Sequence, residues 1–171
     1  MENKGARRLA FFRGFNDQDF DAIWAKAQMV AYRDGEILIA RGKPRRAFYI
    51  PLEGKLQVVK RCRGGKAQTL AVIYPGEPCG FCFLSEGPAY ASIVSLGPSV
   101  VLEMDRSGFE GLMRETPSLA FAILTKLLDA SVVHIGQLYE QVLMLRELYL
   151  DAVNNELVPS SGAAWRPRGS G

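Results

Sequence analysis

Histidine is almost missing from this chain. His134 is the only one in 171 residues, and there are three cysteines, Cys62, Cys79 and Cys82. Neither a Ser-His-Asp arrangement, a phosphate-cradling glycine loop nor a paired-carboxylate motif is readable, so catalysis is not expected. Three cysteines are too few, and odd in number, for a secreted disulfide framework. No run approaches the roughly 18 consecutive apolar residues of a membrane span. The opening "MENKGARRLAFFRGF" lacks the apolar core and small-residue cleavage site of a signal peptide. These absences lead to an expectation of a cytoplasmic protein that no membrane holds. The net charge of +3 is mild, without the concentrated basic stripe of a nucleic-acid face. What is present is ordinary: 48% apolar and 23% charged residues, enough for one soluble domain with a core.

The periodicities change along the chain. Residues 16 to 30 predict a helix, with Asn16 and Asp17 at its cap and Phe20, Ile23, Trp24 and Ala27 on one face. Short apolar runs then follow at 37–39, 48–50, 56–59, 70–74, 91–94 and 100–104. Glycine-bearing turns separate them, among them Asp34-Gly35, Glu53-Gly54 and Gly64-Gly65. That spacing predicts a β-sandwich or barrel, with a tight hairpin at Gly64-Gly65. From Asp105 the pattern is helical: a short helix closes near Pro117, and a long one runs from about Ser118 to Val153. Within it Leu128, Ile135, Val142 and Tyr149 repeat every seven residues, with Ser131, Leu138, Leu145 and Ala152 as the companion series. This predicts a helix that pairs with a copy of itself through Leu128, Ile135, Leu138, Val142 and Leu145. The alternative is a helix packed on its own β-domain. Residues 1 to 15 form a leading segment, 16 to 153 the domain, and 154 to 171 an unstructured tail.

Two blocks carry a resemblance. "YRDGEILIARGKPRRAFYIPLEGKLQVV" has Gly35-Glu36, Gly42, Tyr49, Ile50, Gly54, Leu56 and Val58 where the cyclic nucleotide-binding domain of the catabolite activator (CRP/FNR) superfamily has its glycine framework. "MDRSGFEGLMRETPSLAFAILTKLL" resembles that family's last strand, short helix, proline and long dimerisation helix. The resemblance covers roughly residues 10 to 153. It implies a mainly β fold, a β-jelly roll (double-stranded β-helix) with an N-terminal helix and a long C-terminal helix. It also implies a non-enzymatic regulatory module, with cyclic nucleotide as the family's ligand. The family's DNA-binding members add a helix-turn-helix after the long helix, for which residues 154 to 171 are too few.

The family's phosphate cassette lies between these blocks. There a glutamate accepts the ribose 2′-hydroxyl, and an arginine some ten residues on neutralises the phosphate. In "GEPCGFCFLSEGPAYASI" Gly80 fits, but Phe81 stands in the place of the glutamate and Ala89 in that of the arginine. No Arg or Lys lies between Lys66 and Arg106. A buried phosphate without a counter-charge is costly, so binding of cyclic AMP by the usual contacts is not expected. Glu86, in the turn "SEGP", is a substitute acid. The pocket predicted from this stretch is lined by Gly80, Phe81, Cys82, Phe83, Leu84, Ala89, Tyr90, Ala91 and Ser92, with His134 from the long helix. A genuine cyclic nucleotide site with compensating contacts is the alternative.

Cys79 and Cys82 form a C-x₂-C. They fit two small buried residues, a redox pair, or a metal or haem site with His134; the superfamily's haem-dependent carbon-monoxide sensor takes iron ligands from this loop. His134 is a candidate pocket residue or a surface or interface histidine. Two basic clusters, Arg41-Lys43-Arg45-Arg46 and Lys60-Arg61-Arg63-Lys66, fit solvated strand ends, or else a contact for an acidic protein or a distant anion.

Overall fold

The computed structural model describes residues 5–61, 65–81, 83–85 and 87–157, with side chains through residue 154. The chain divides into two compact units, Met1–Ser131 and Val132–Gly171.

The first unit begins with two short 3-10 turns, Ala6–Arg8 and Ala10–Phe12, which bury Ala6, Phe11 and Phe12. Helix α1 is Asp17–Lys26, shorter than the sequence predicts. Its entry is a full capping box: Asn16 accepts from the Asp19 N–H and Asp19 accepts from the Asn16 N–H, so two otherwise unpaired amides are satisfied. Gln28 to Val30, expected in the helix, belong instead to strand β1, Gln28–Tyr32. They pair with Glu103, Leu102 and Val101 of the last strand, and that pairing outweighs the local helical pattern.

The other strands are β2 (Ile37–Ile39), β3 (Ala47–Arg61), β4 (Ala67–Ile73) and β5 (Ser92–Asp105). All pairings are antiparallel, in the order β1-β5-β3-β4 with β2 also on β5. Four of the expected short runs are therefore two long strands. β3 continues through Glu53-Gly54, where its register against β5 shifts. At Gly54 φ is +73°, and a Cβ would fall 2.4 Å from the Pro98 carbonyl oxygen, so only glycine lets the strands pass this closely. β5 bends at Gly97, whose N–H donates to Asp34 Oδ1. β3 and β4 meet as a hairpin from Leu56–Ile73 to Arg61–Ala67; Gly64 of its expected turn lies outside the described residues.

Helix α2 (Arg106–Glu115) is capped by Asp105, whose side chain accepts from the Gly108 N–H at 2.8 Å. Helix α3 is Pro117–Leu157, its start supplied by a proline whose missing N–H is not needed there. It is longer than predicted: Asn154 to Leu157, expected in the tail, continue it, and the rest of the tail lies outside the described residues. The three α-helices hold 10, 10 and 41 residues. Helix therefore outweighs strand, and the expected mainly β content is corrected to a five-stranded sheet flanked by helices.

The sheet separates two apolar clusters. On the helix side Phe20, Ile23, Phe48, Ile50, Leu102, Met104, Phe109, Leu112 and Ile123 come together. On the other side lie Ile39, Ala47, Tyr49, Leu56, Ile73, Ile93 and Val101. Alternation along β5 and along β3 up to Leu52 sends odd and even positions to opposite clusters; beyond the register shifts at Glu53 and Lys55, Leu56 faces the cluster of Ala47 and Tyr49.

In the second unit α3 leaves Ile135, Leu138, Val142, Leu145 and Tyr149 exposed. No run of consecutive apolar residues predicted a span, yet Pro117–Asn154 is long and apolar enough to cross a membrane by length and composition, with a mean hydropathy of 1.6 in its best window. The scattered charges that break the runs do not lower the average enough to exclude it.

Candidate functional site: the segment from Cys79 to Ser92

This segment is held by backbone bonds at both ends. Cys79 and Tyr49 exchange N–H···O=C bonds of 2.8 and 2.9 Å. Ala89 accepts from the Gly42 N–H at 2.8 Å and donates to the Lys43 carbonyl at 2.9 Å. Pro44 and Pro88 continue that bridge. Gly80 turns the chain inward with φ +80°; a Cβ there would lie 2.8 Å from the Ala47 carbonyl oxygen and 3.2 Å from the Tyr49 ring.

The expected lining residues do not share one wall. Phe83 is buried on the helix side, its ring 5.1 Å from that of Phe48 and 5.3 Å from that of Phe109. Phe81 and Leu84 pack against the same cluster. Ala89 and Cys79 face the opposite cluster, with Tyr49 and Val101. Ala91 is half-buried, and Ser92 accepts from the Arg41 N–H. Tyr90 is 81% exposed. His134 belongs to the second unit, half-buried on α3. Cys82, Glu86, Cys62 and Arg63 lie outside the described residues.

Burial pushes the Cys79 thiol pKa well up, so the group is a neutral, packed side chain rather than a ready thiolate. Among the described residues no cluster of three His, Cys, Asp or Glu side chains is placed to hold a metal ion.

Two features escaped the sequence reading. Glu103 follows Val101 by two along β5 and faces Tyr49 across the ladder. Its carboxylate accepts a hydrogen bond from the Tyr32 hydroxyl. Burial raises the Glu103 pKa, and the Tyr32 hydrogen bond offsets part of this. Burial first, then the nearby Glu103 charge, pushes Tyr49 to about 12, and burial with the Glu103 bond raises Tyr32 as well. No local pattern marks this trio, because it forms only when β1, β3 and β5 are paired.

The second is Arg45. It comes from "RGKPRR", which the sequence reads as a solvated strand end or else as a contact for an acidic protein or a distant anion. Its Nη2 donates to Ser85 Oγ at 2.8 Å, and a Cβ on Gly87 would stand 3.5 Å from the same nitrogen. Its Nε is buried without a hydrogen-bond partner. An orphaned buried donor of this kind costs about 1–3 kcal/mol. Arg45 thus reaches the segment whose own sequence contains no cation.

Residues 29–116 match the family model described as "Cyclic nucleotide-binding domain". The chain belongs to that family, in its CRP/FNR-like branch. The domain's curated relatives include the cyclic AMP receptor protein of Thermus thermophilus, 29% identical over 64% of this chain and 51% of that protein. A cAMP-dependent protein kinase regulatory subunit of Dictyostelium discoideum is 31% identical over 48% of this chain and 27% of its own length. The chain spans about half the length of the bacterial relatives it matches. Among solved structures, a cyclic nucleotide-binding domain from Methylobacillus flagellatus superposes with a TM-score of 0.71 at 21% identity, over 82% of this chain and 79% of that one. The Thermus thermophilus catabolite activator protein gives 0.58 at 26% identity, over 84% and 62%. The family is regulatory and not catalytic, so the chain is a non-enzymatic regulatory domain. The segment from Cys79 to Ser92 lies within the matched residues 29–116.

Proposed function

We propose that this domain is a sensor that does not hold cyclic AMP through the usual acid and cassette arginine. It signals through contacts of α3 with a second copy of itself or with a protein partner. Residues 16 to 153 act as one module with a jelly-roll sheet, working in the cytoplasm like the transcriptional regulators it resembles. The observation that carries the reading is Ala89: its backbone is fixed on both sides by Gly42 and Lys43, and it ends in a buried methyl. At that place the family needs a cation. Phe81, in the place of the acid, is turned to the helix-side cluster. The same burial leaves Cys79 ill suited to redox or haem duty.

Calorimetric titration with cyclic AMP and cyclic GMP tests this. Silence up to millimolar ligand supports it, and micromolar binding of either overturns it. A cyclic nucleotide held by compensating contacts is the second reading, favoured by the likeness to a cyclic AMP receptor protein.

A further inference from the structure

We infer that Arg45 is the anion-holding side chain of this cassette, and that the ligand is a phosphate or carboxylate on an apolar body. The inference rests on the reading above, in which the usual acid and cassette arginine are absent. The bonds between Ala89 and the Gly42-Lys43 stretch bring the loop before β3 alongside the position that lacks a cation. Arg45 follows Lys43 by two residues and precedes Ala47 by two, and Ala47 lies in the cluster that also holds Ala89. The guanidinium is already partly organised. One arm is engaged by Ser85, while the buried Nε–H has no acceptor. Among the described residues no carboxylate forms an ion pair with it. A bound oxyanion supplies the missing acceptor in the forked geometry that arginine favours.

The body of the ligand follows from the replaced acid and from the cluster on the Ala89 side. Phe81 replaces the acid that accepts ribose hydroxyls. Glu103, in the same strand face as Val101, is engaged by Tyr32 and held toward its neutral form by burial. The cluster on the Ala89 side is mostly aliphatic, with Ile39, Ile93 and Val101 beside Tyr49 and Cys79. A body with few hydroxyls suits it better than a sugar.

The test is calorimetry on the full chain with two probes that share the anion and differ in the body, hexyl phosphate and cyclic AMP. Each is titrated into wild type, Arg45→Ala and Arg45→Lys. The expected result is binding of hexyl phosphate, weakened about tenfold or more in Arg45→Ala and partly restored in Arg45→Lys. Thermal melting of the unliganded proteins separates this from a structural role. Removing a donor that has no acceptor leaves the melting temperature of Arg45→Ala unchanged or higher, whereas a structural arginine lowers it. Equal affinity of wild type and Arg45→Ala for hexyl phosphate overturns the assignment. So does a failure of hexyl phosphate to bind, which leaves the reading against cyclic AMP standing. Micromolar binding of cyclic AMP in preference to hexyl phosphate overturns both the ligand class and that reading.

Discussion

Gly54 and Glu103 are single positions whose role depends on strands distant in sequence. At Gly54 the positive φ and the 2.4 Å approach to Pro98 leave no room for a methyl group. Gly54→Ala should destabilise the domain by at least about 2 kcal/mol, read by chemical denaturation. Glu103 predicts a pH effect. Its folded pKa lies above the unfolded value of 4.5, so its favourable, protonated state is fully present below that value. The stability it lends is lost as pH rises through the folded pKa. Thermal melts from pH 4 upward should show a decline in wild type that Glu103→Gln removes, since glutamine still accepts from Tyr32 and never ionises. A decline of equal size in the variant sinks this assignment. The glycine framework was legible in sequence because turns demand particular residues. Glu103 was not, because a glutamate on a strand has no local signature until its neighbours are known. Arg45 lies in a stretch of four basic residues in six, which by itself suggests solvent, yet it is half-buried with its Nε enclosed.

Among the elements, the segment from Cys79 to Ser92 is tied to the helices chiefly through Phe83, with Phe81 and Leu84 against the same cluster. Phe83 sits between Phe48 of β3 and Phe109 of α2. Phe83→Ala should cost about 3–5 kcal/mol by leaving a cavity, measured by urea unfolding. A cost below about 1 kcal/mol would mean that the cassette collapses onto the gap or contributes little to folding. Helix positions were largely readable, since the capping residues Asn16 and Asp105 and the proline before α3 are local signals. Strand β1 was missed because Met29 and Val30 extend the apolar spacing of α1, and only pairing with Leu102 and Val101 distinguishes the two. The merging of short runs into β3 and β5 was also hidden. A glycine inside an apolar run marks a turn or a bulge equally well, and the choice rests on Ser99 and Pro98 lying opposite.

For the whole molecule, the decisive feature is α3. Its second half carries Ile135, Leu138, Val142 and Leu145 exposed, a sequence pattern that fits a paired helix. Ile135→Glu with Leu138→Glu should convert a dimer to a monomer in sedimentation velocity. An unchanged mass, or a monomeric wild type, rejects self-pairing. Detergent dependence of the wild type would instead favour the membrane reading that the helix's composition permits.

The bonds from Gly42 and Lys43 to Ala89 have a consequence of another kind. Main-chain amides and carbonyls are the same whatever side chain they carry. A loop anchored through them keeps its shape while its side chains are exchanged. Chemical taste and mechanical frame are thereby separate inheritances, and the first is free to drift without loss of the second.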